Sequence, residues 1–256
     1  MQALQQDPAT PRAFYLLGIL TADHDNHAKA IDLFARALTL GGPRADVLAQ
    51  KARSEIALLR REDAVRSADA AAGLAPEDAF TLDTLGVVYS RAGLHARSLD
   101  FYARATRAAP DVAAYHYNHG AALQFAGQME AARTAYQACR ALDPADTRAL
   151  TALVQITRQK AGGTAIAELE AIFPTVSGDP DDALRVGHAL AKAHEDLNQP
   201  KEAMTWLARA KTAKWAQVHQ RRAGPGHADN EDRLGCVQSA PMRQPCLRHG
   251  GGKHVR

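Results

Sequence analysis

The sequence has few aromatic residues, few cysteines and no long apolar run. Aromatic residues make up 5% of the 256 residues, although the hydrophobic fraction is 46%. Alanine is common instead, and its high helix propensity favours helices packed closely on small side chains. No stretch approaches the ~20 apolar residues of a membrane-spanning helix. A membrane partner is therefore not expected.

The sequence also lacks a disulfide framework, a secretion signal and a strong charge. The three cysteines, Cys139, Cys236 and Cys246, are an odd and sparse set, and the first residues, MQALQQDPATPR, are polar. Both observations favour a cytoplasmic protein. Of the net charge of +3, residues 215–256 supply seven Lys/Arg and three Asp/Glu, a balance of +4 that leaves −1 for residues 1–214. A nearly neutral body does not indicate nucleic-acid binding.

A period of 34 residues runs through most of the chain. Pro110 follows Pro76, and Pro144 follows Pro110, at this spacing, while Pro8 lies two periods before Pro76 and Gly42 fills the place between. The period defines units at 11–44, 45–78, 79–112 and 113–146. The eighth position of the units then reads Gly18, Ala52, Gly86 and Gly120, and the twenty-fourth reads Phe34, Ala68, Tyr102 and Tyr136.

These positions resemble the tetratricopeptide pattern W-x2-L-G-x2-Y, A-x3-F and P, which residues 81–93, TLDTLGVVYSRAG, preserve best. Small residues let two antiparallel helices approach closely, and the bulky residue fills the adjoining space. Gly93 and Gly127 stand where a first helix must end. Since neither helix can bury its apolar stripe alone, the units must stack. The resemblance implies an all-α fold, a right-handed superhelical solenoid of antiparallel helix pairs.

The period weakens toward both ends. Residues 1–10 fit a truncated half repeat, and residues 147–160 supply a partial unit with one first helix. An irregular connection is expected at 161–183, with a short helix near 164–173 and a new helix that Asp179 caps and Pro180 begins. A last unit is expected at 184–214, where Asn198 takes the helix-ending place.

Residues 215–256 lose the period and are rich in Gly, Pro, His and Arg, so we expect a disordered tail. Three interpretations are open. We favour a frameshift, the out-of-frame translation of a coding region that should have continued. A natural basic tail for an anionic partner is the second. Zinc binding by Cys236, Cys246, His249 and His254 is the third, but the C-x9-C spacing fits no structural zinc pattern well. No metal or other cofactor is predicted.

Three segments resemble bacterial proteins in which an N-terminal tetratricopeptide array is joined to a sulfotransferase domain. They are residues 81–93, 115–144 and 187–214, the last reading GHALAKAHEDLNQPKEAMTWLARAKTAK. The resemblance covers about residues 3–214 and implies transfer of a sulfuryl group from PAPS by the attached enzyme. The family's cofactor-binding loop, P-R-S-G-T-T, has no counterpart in this sequence. The nearest glycine-rich segment, AGGTA at 161–165, follows a predicted helix and lacks the P-loop pattern. No catalytic residue is carried over.

The resemblance also places selected positions of each first helix on an inner groove. In this chain they hold Tyr15, Ile19, Gln50, Arg53, Phe80, Val87, Arg91, Tyr117, Asn118, Gln124, Phe125, Gln155 and Arg158. Aromatic anchors mixed with amide and guanidinium donors suit an extended peptide. The alternative is an inner face that is only solvated.

Three other constellations have structural explanations. His116 and His119 occupy core-facing positions, so packing histidines are favoured over a metal pair. Cys139 replaces a small alanine and is expected to be buried. Asp181 and Asp182 lie in a helix's first turn, where negative charge complements the dipole, and are not interpreted as a catalytic pair.

The leading hypothesis is a non-catalytic scaffold that binds a protein or peptide in its groove. The alternative is the substrate-recruiting arm of a sulfotransferase whose catalytic domain is missing from this chain. A third hypothesis is that the repeat array belongs to a protein with an attached glycosyltransferase domain.

Overall fold

The structure is a computed structural model that describes residues 10–222 of the chain. Its regular elements over this range are all helices, which confirms the predicted all-α class. In chain order they are α1 (Pro11–Asp23), α2 (His27–Gly41), α3 (Ala45–Ala57), α4 (Arg61–Gly73), α5 (Ala79–Arg91), α6 (His95–Ala108), α7 (Ala113–Phe125), α8 (Met129–Leu142), α9 (Thr147–Ile156), α10 (Ala165–Val176), α11 (Pro180–Asp196) and α12 (Pro200–Arg222).

The helices form a repeat array of pairs. Helices α1 with α2, α3 with α4, α5 with α6, and α7 with α8 pack as hairpins within the four 34-residue units, and α11 packs with α12 in the same way. Each second helix also contacts the first helix of the next pair, as α2 does with α3 and α6 with α7. The units therefore stack in sequence order. None of the described helices is long and apolar enough to span a membrane.

The close approach inside each hairpin follows from the small residue at the eighth position. A Cβ atom on Gly86 would lie 2.6 Å from the Tyr102 ring, and one on Gly120 would lie 2.8 Å from the Tyr136 ring. Both aromatic rings are buried. The bulky residue at the twenty-fourth position was expected to fill the space beside the close approach, and in these two units its ring contacts the backbone of the eighth position directly.

The turn inside each hairpin requires one residue with a positive φ angle. Gly93 and Gly127 have φ of 76°, and Asn198 has φ of 58°, as their helix-ending places predicted. Leu59 occupies the same place in the second unit with φ of 60°. A leucine is unusual in this region of backbone space, which favours Gly, Asn and Asp.

The buried side chains form four clusters in the described part of the chain. One joins α1 and α2 to Val47, one spans α3 to α6, one spans α7 to α9, and one spans α9 to α12. The second cluster borders a buried ion pair between Lys51 and Glu55, whose side chains are 22% and 5% exposed. Lys51 Nζ also donates to Ser67 Oγ (3.0 Å), whereas Glu55 Oε2 has no hydrogen-bond partner.

The C-terminal part differs in detail from the expected boundaries. Helix α9 ends at Ile156, before residue 160, and α10 extends past 173 to Val176, with Pro174 inside its last turn. Asp179 caps α11 as predicted, since its carboxylate accepts from the backbone N–H groups of Asp181 and Asp182. Helix α12 continues beyond the boundary expected at 214 and ends at Arg222. The rest of the predicted tail, 223–256, lies outside the described residues, as do the proposed zinc ligands and residues 1–9.

Candidate functional site

The candidate site is an open cavity of about 420 Å³ between α7, α9 and α11, which we call the α7–α9 cavity. Its walls are Tyr117, Ala121, Gln124, Phe125, Met129, Tyr136, Arg148, Thr151, Ala152, Gln155 and Arg185. The lining side chains come from α7 and α8 of the fourth unit, from α9, which packs against α8, and from α11, which packs against α9. The cavity is therefore a product of unit stacking.

The aromatic wall of the cavity is fixed by its neighbours. The ring centroids of Tyr117 and Tyr136 are 5.7 Å apart, and the Arg148 guanidinium lies 4.7 Å from the Tyr117 ring centroid. Tyr136 Oη donates to Gln124 Oε1 at 2.8 Å, and burial raises the pKa of Tyr136 well above its usual range. This hydrogen bond uses the amide oxygen of Gln124 and leaves its NH₂ group able to donate.

Two arginines, Arg148 and Arg185, also line the cavity. Arg148 binds Asp146 in a bidentate manner, with Nε–Oδ1 at 3.0 Å and Nη2–Oδ2 at 2.6 Å. The hydrogen bonds from Arg148 lower the pKa of Asp146. Arg185 pairs with Asp182, while its buried Nε–H has no acceptor in the described chain. A buried donor without an acceptor costs free energy.

Phe125 is the apolar feature of the site. Its side chain is 68% exposed, and its ring centroid lies 3.9 Å from that of His95. Phe125 and Ala121 also line a second cavity of about 150 Å³, with Asn118 and Tyr102 on its walls. Asn118 Nδ2 donates to Asp83 Oδ1 at 2.9 Å, and burial raises the pKa of Asp83. The exposed ring therefore stands between two cavities.

The thirteen predicted groove residues are not all brought together. Tyr117, Gln124, Phe125 and Gln155 line the α7–α9 cavity, and Asn118 lines the smaller one. Arg91 lines a third cavity near the α3–α4 turn. Arg53, Phe80 and Arg158 are exposed, and Val87 is half-buried, without lining any of these cavities. Tyr15 and Ile19 pack against the first core cluster.

Gln50 is a correction to the predicted set. This residue is 4% exposed, and its Nε2 donates to Thr84 Oγ1 in the next unit at 3.2 Å. The amide therefore links two stacked units and is not presented to a ligand. Gln50 holds the same position in the second unit as Asn118 holds in the fourth unit. The repeat register alone therefore could not distinguish the buried Gln50 from the half-buried Asn118.

Sequence reasoning missed several cavity residues. Arg148, Thr151 and Ala152 occupy groove positions of the partial fifth unit, and the same register would have found them. Arg185 carried no such signal, because the period is interrupted between α9 and α11. Met129 and Tyr136 reach the cavity from the second helix of their unit.

The structure gives each of the other constellations a local environment, with His116 and His119 both half-buried on α7. His116 Nε2 lies 2.8 Å from the carbonyl oxygen of Pro110, and burial lowers the pKa of His119. No group of three or more metal-ligating side chains occurs among residues 10–222. Cys139 is buried, which raises the pKa of its thiol. Asp181 and Asp182 pair with Lys214 and Arg185.

Fold and repeat together define the protein as an all-helical repeat array of stacked helix pairs. Residues 113–146, the fourth unit, match the tetratricopeptide repeat family model. The chain is similar to a structure of the APC/C hetero-tetramer Cut9–Hcn1, with 15% identity over 92% of this chain and 44% of that chain and a TM-score of 0.64. It is also similar to TTC0263, a thermophilic tetratricopeptide-repeat protein of Thermus thermophilus, with 19% identity over 79% of this chain and 100% of that chain and a TM-score of 0.51. No curated protein matches the sequence.

Proposed function

We propose that the chain is a non-catalytic scaffold that holds an extended segment of another protein in the α7–α9 cavity. The observation that carries the proposal is the 68% exposed Phe125 ring at the edge of this cavity. A large aromatic side chain that stays in water costs free energy, and burial against a partner recovers it.

The polar walls support an extended backbone as the ligand. Gln124 and Gln155 present amide groups, and Arg185 Nε–H is buried without an acceptor in the described chain. An extended segment offers a carbonyl oxygen at every residue, so it can accept from donors that are spaced along two neighbouring helices. The partner would place an apolar side chain against Phe125 and Met129 and its carbonyl groups against the amides.

Peptide selection from a random displayed library on the purified chain tests the proposal. The selected peptide is then labelled, and its affinity for variants is measured by fluorescence anisotropy. We expect Phe125→Ala and Gln155→Ala each to weaken binding on the order of tenfold, the effect of about 1.4 kcal/mol. Leu40→Ala, which truncates an exposed leucine on α2, is the matched control and should bind normally.

Two outcomes would contradict the proposal. One is a library selection that yields no saturable ligand. The other is a ligand whose affinity is equal for the parent chain, Phe125→Ala and Gln155→Ala. The recruiting of a substrate for a sulfotransferase domain stays a prediction from sequence resemblance, and no contact in the described part of the structure favours it over a general scaffold.

A further inference from the structure

A second surface lies at the turn between α3 and α4, away from the α7–α9 cavity. It is an open cavity of about 460 Å³ lined by Ile56, Ala57, Leu59, Arg61 and Arg91, which we call the turn cavity. Its apolar wall comes from the end of α3, and its two guanidinium groups come from the first residue of α4 and the last residue of α5.

Leu59 is unfavourable for stability in two respects. Its φ angle of 60° lies where a side chain with a Cβ atom is strained, and the equivalent places in other units hold Asp25, Gly93, Gly127 and Asn198. Its side chain is also 88% exposed, so no packing compensates for the strain. Local choices that oppose stability in this way mark functional positions.

The stability of helix α4 also does not explain the positive charges next to Leu59. Arg60 and Arg61 stand at the N-terminus of α4, where the helix dipole disfavours cations, although Glu62 and Asp63 in the same turn offset part of this cost. Within residues 10–222, neither Arg61 nor Arg91 has a carboxylate within ion-pair distance.

Arg61 extends from α4 toward the next turn of the array. A Cβ atom on Gly93 would lie 3.2 Å from Arg61 Nη2, so the guanidinium lies over the glycine of the next turn and faces the cavity that Arg91 also lines. Two guanidinium groups without a carboxylate partner in the described chain suit a ligand with negative charge, because planar donor pairs bind carboxylates well. The exposed leucine suits an apolar side chain next to that charge.

We infer that the turn cavity is a docking site for a peptide segment that carries a carboxylate side chain next to an apolar one. Charge complementarity selects this occupant, since both guanidinium groups would repel a basic segment, and a purely apolar segment would offer them only neutral carbonyl oxygens. The site is built by the second and third units, so it does not depend on the function proposed for the α7–α9 cavity.

The test uses three labelled probe peptides and the full chain. One contains Glu-Leu-Asp-Phe, a second replaces its acids (Gln-Leu-Asn-Phe), and a third replaces its apolar residues (Glu-Ser-Asp-Ser). By fluorescence anisotropy, the first should bind best and should weaken as salt is added. The double variant Arg61→Gln/Arg91→Gln should lose on the order of tenfold in affinity. Arg107→Gln, an exposed arginine at the end of α6, should change nothing.

Leu59→Asn gives a readout that a merely structural leucine would not produce. The substitution places an asparagine at this turn, and Asn198 shows that asparagine adopts a positive φ at the equivalent place. We expect a higher thermal midpoint and weaker binding of Glu-Leu-Asp-Phe from the same substitution. Phe125→Ala, in the other cavity, should leave this binding unchanged.

The inference is overturned by any of three results. The first is that all three probes bind equally well or that none binds. The second is that Leu59→Asn raises the thermal midpoint without changing the affinity for Glu-Leu-Asp-Phe. The third is that Phe125→Ala removes the binding while the turn variants retain it, which would assign the peptide to the α7–α9 cavity.

Discussion

The buried pair of Lys51 and Glu55 allows a quantitative test of the packing. In Lys51→Met, the Glu55 carboxylate would keep its 5% exposed environment but would lose its counter-charge, and its Oε2 already has no hydrogen-bond partner. Breaking a buried pair by removing one partner costs roughly 3–5 kcal/mol. Because Lys51 is 22% exposed and water reaches it, we expect the lower end, about 3 kcal/mol.

The double variant Lys51→Met/Glu55→Leu separates charge from packing. When both partners become apolar, no uncompensated charge remains, and stability should return to within about 1 kcal/mol of the parent chain. The coupling energy from the four-member cycle, measured by urea denaturation followed by circular dichroism, should therefore exceed about 1.5 kcal/mol.

A surface pair provides the matched control. Arg66 and Asp63 are 70% and 43% exposed, so Arg66→Met should cost less than about 1 kcal/mol. If Lys51→Met costs as little as Arg66→Met, then water screens the Lys51–Glu55 pair and the reasoning from burial is wrong.

Three further predictions concern the repeat itself. Gly86→Ala should cost about 2 kcal/mol in a urea titration, because its Cβ would lie 2.6 Å from the Tyr102 ring. Leu85→Ala should cost roughly 2–5 kcal/mol, since Leu85 is fully buried, whereas Leu40→Ala at a 57% exposed site should cost little; equal effects would contradict the assigned core. Burial raises the pKa of Asp83, so its stabilising contribution is present below its unfolded pKa and is lost as pH rises through its folded pKa. Urea midpoints measured across that window should therefore fall for the parent chain relative to Asp83→Asn, and parallel curves would refute this.

The features that depend on the period could be predicted from the sequence. The contact of Gly86 with Tyr102, the helix-ending glycines and the Asp179 cap each follow from local rules about size, φ and hydrogen bonding. They recur because each unit meets the same kind of neighbour. The all-helical fold followed for the same reason.

The features that depend on how one unit meets a different neighbour could not be predicted. Gln50 is buried because Thr84 of the next unit offers it an acceptor, whereas Asn118 at the equivalent position is half-buried. Arg185 reaches the α7–α9 cavity only because α11 packs against α9 across a connection that breaks the period. Tertiary packing between non-identical units determines these environments, and the 34-residue repeat register does not predict it.

The division of the core into four clusters has a consequence for how the array responds to heat. Each cluster has contacts mainly with its neighbours, so the chain approximates a one-dimensional series of coupled units, in which one end can melt while the other stays folded. A calorimetric unfolding enthalpy larger than the van't Hoff enthalpy is the signature of such stepwise melting. The α7–α9 cavity draws Tyr136 from the third cluster and its arginines from beside the fourth. A ligand bound there would fasten two neighbouring melting units together, and the transition would become sharper as well as higher in temperature.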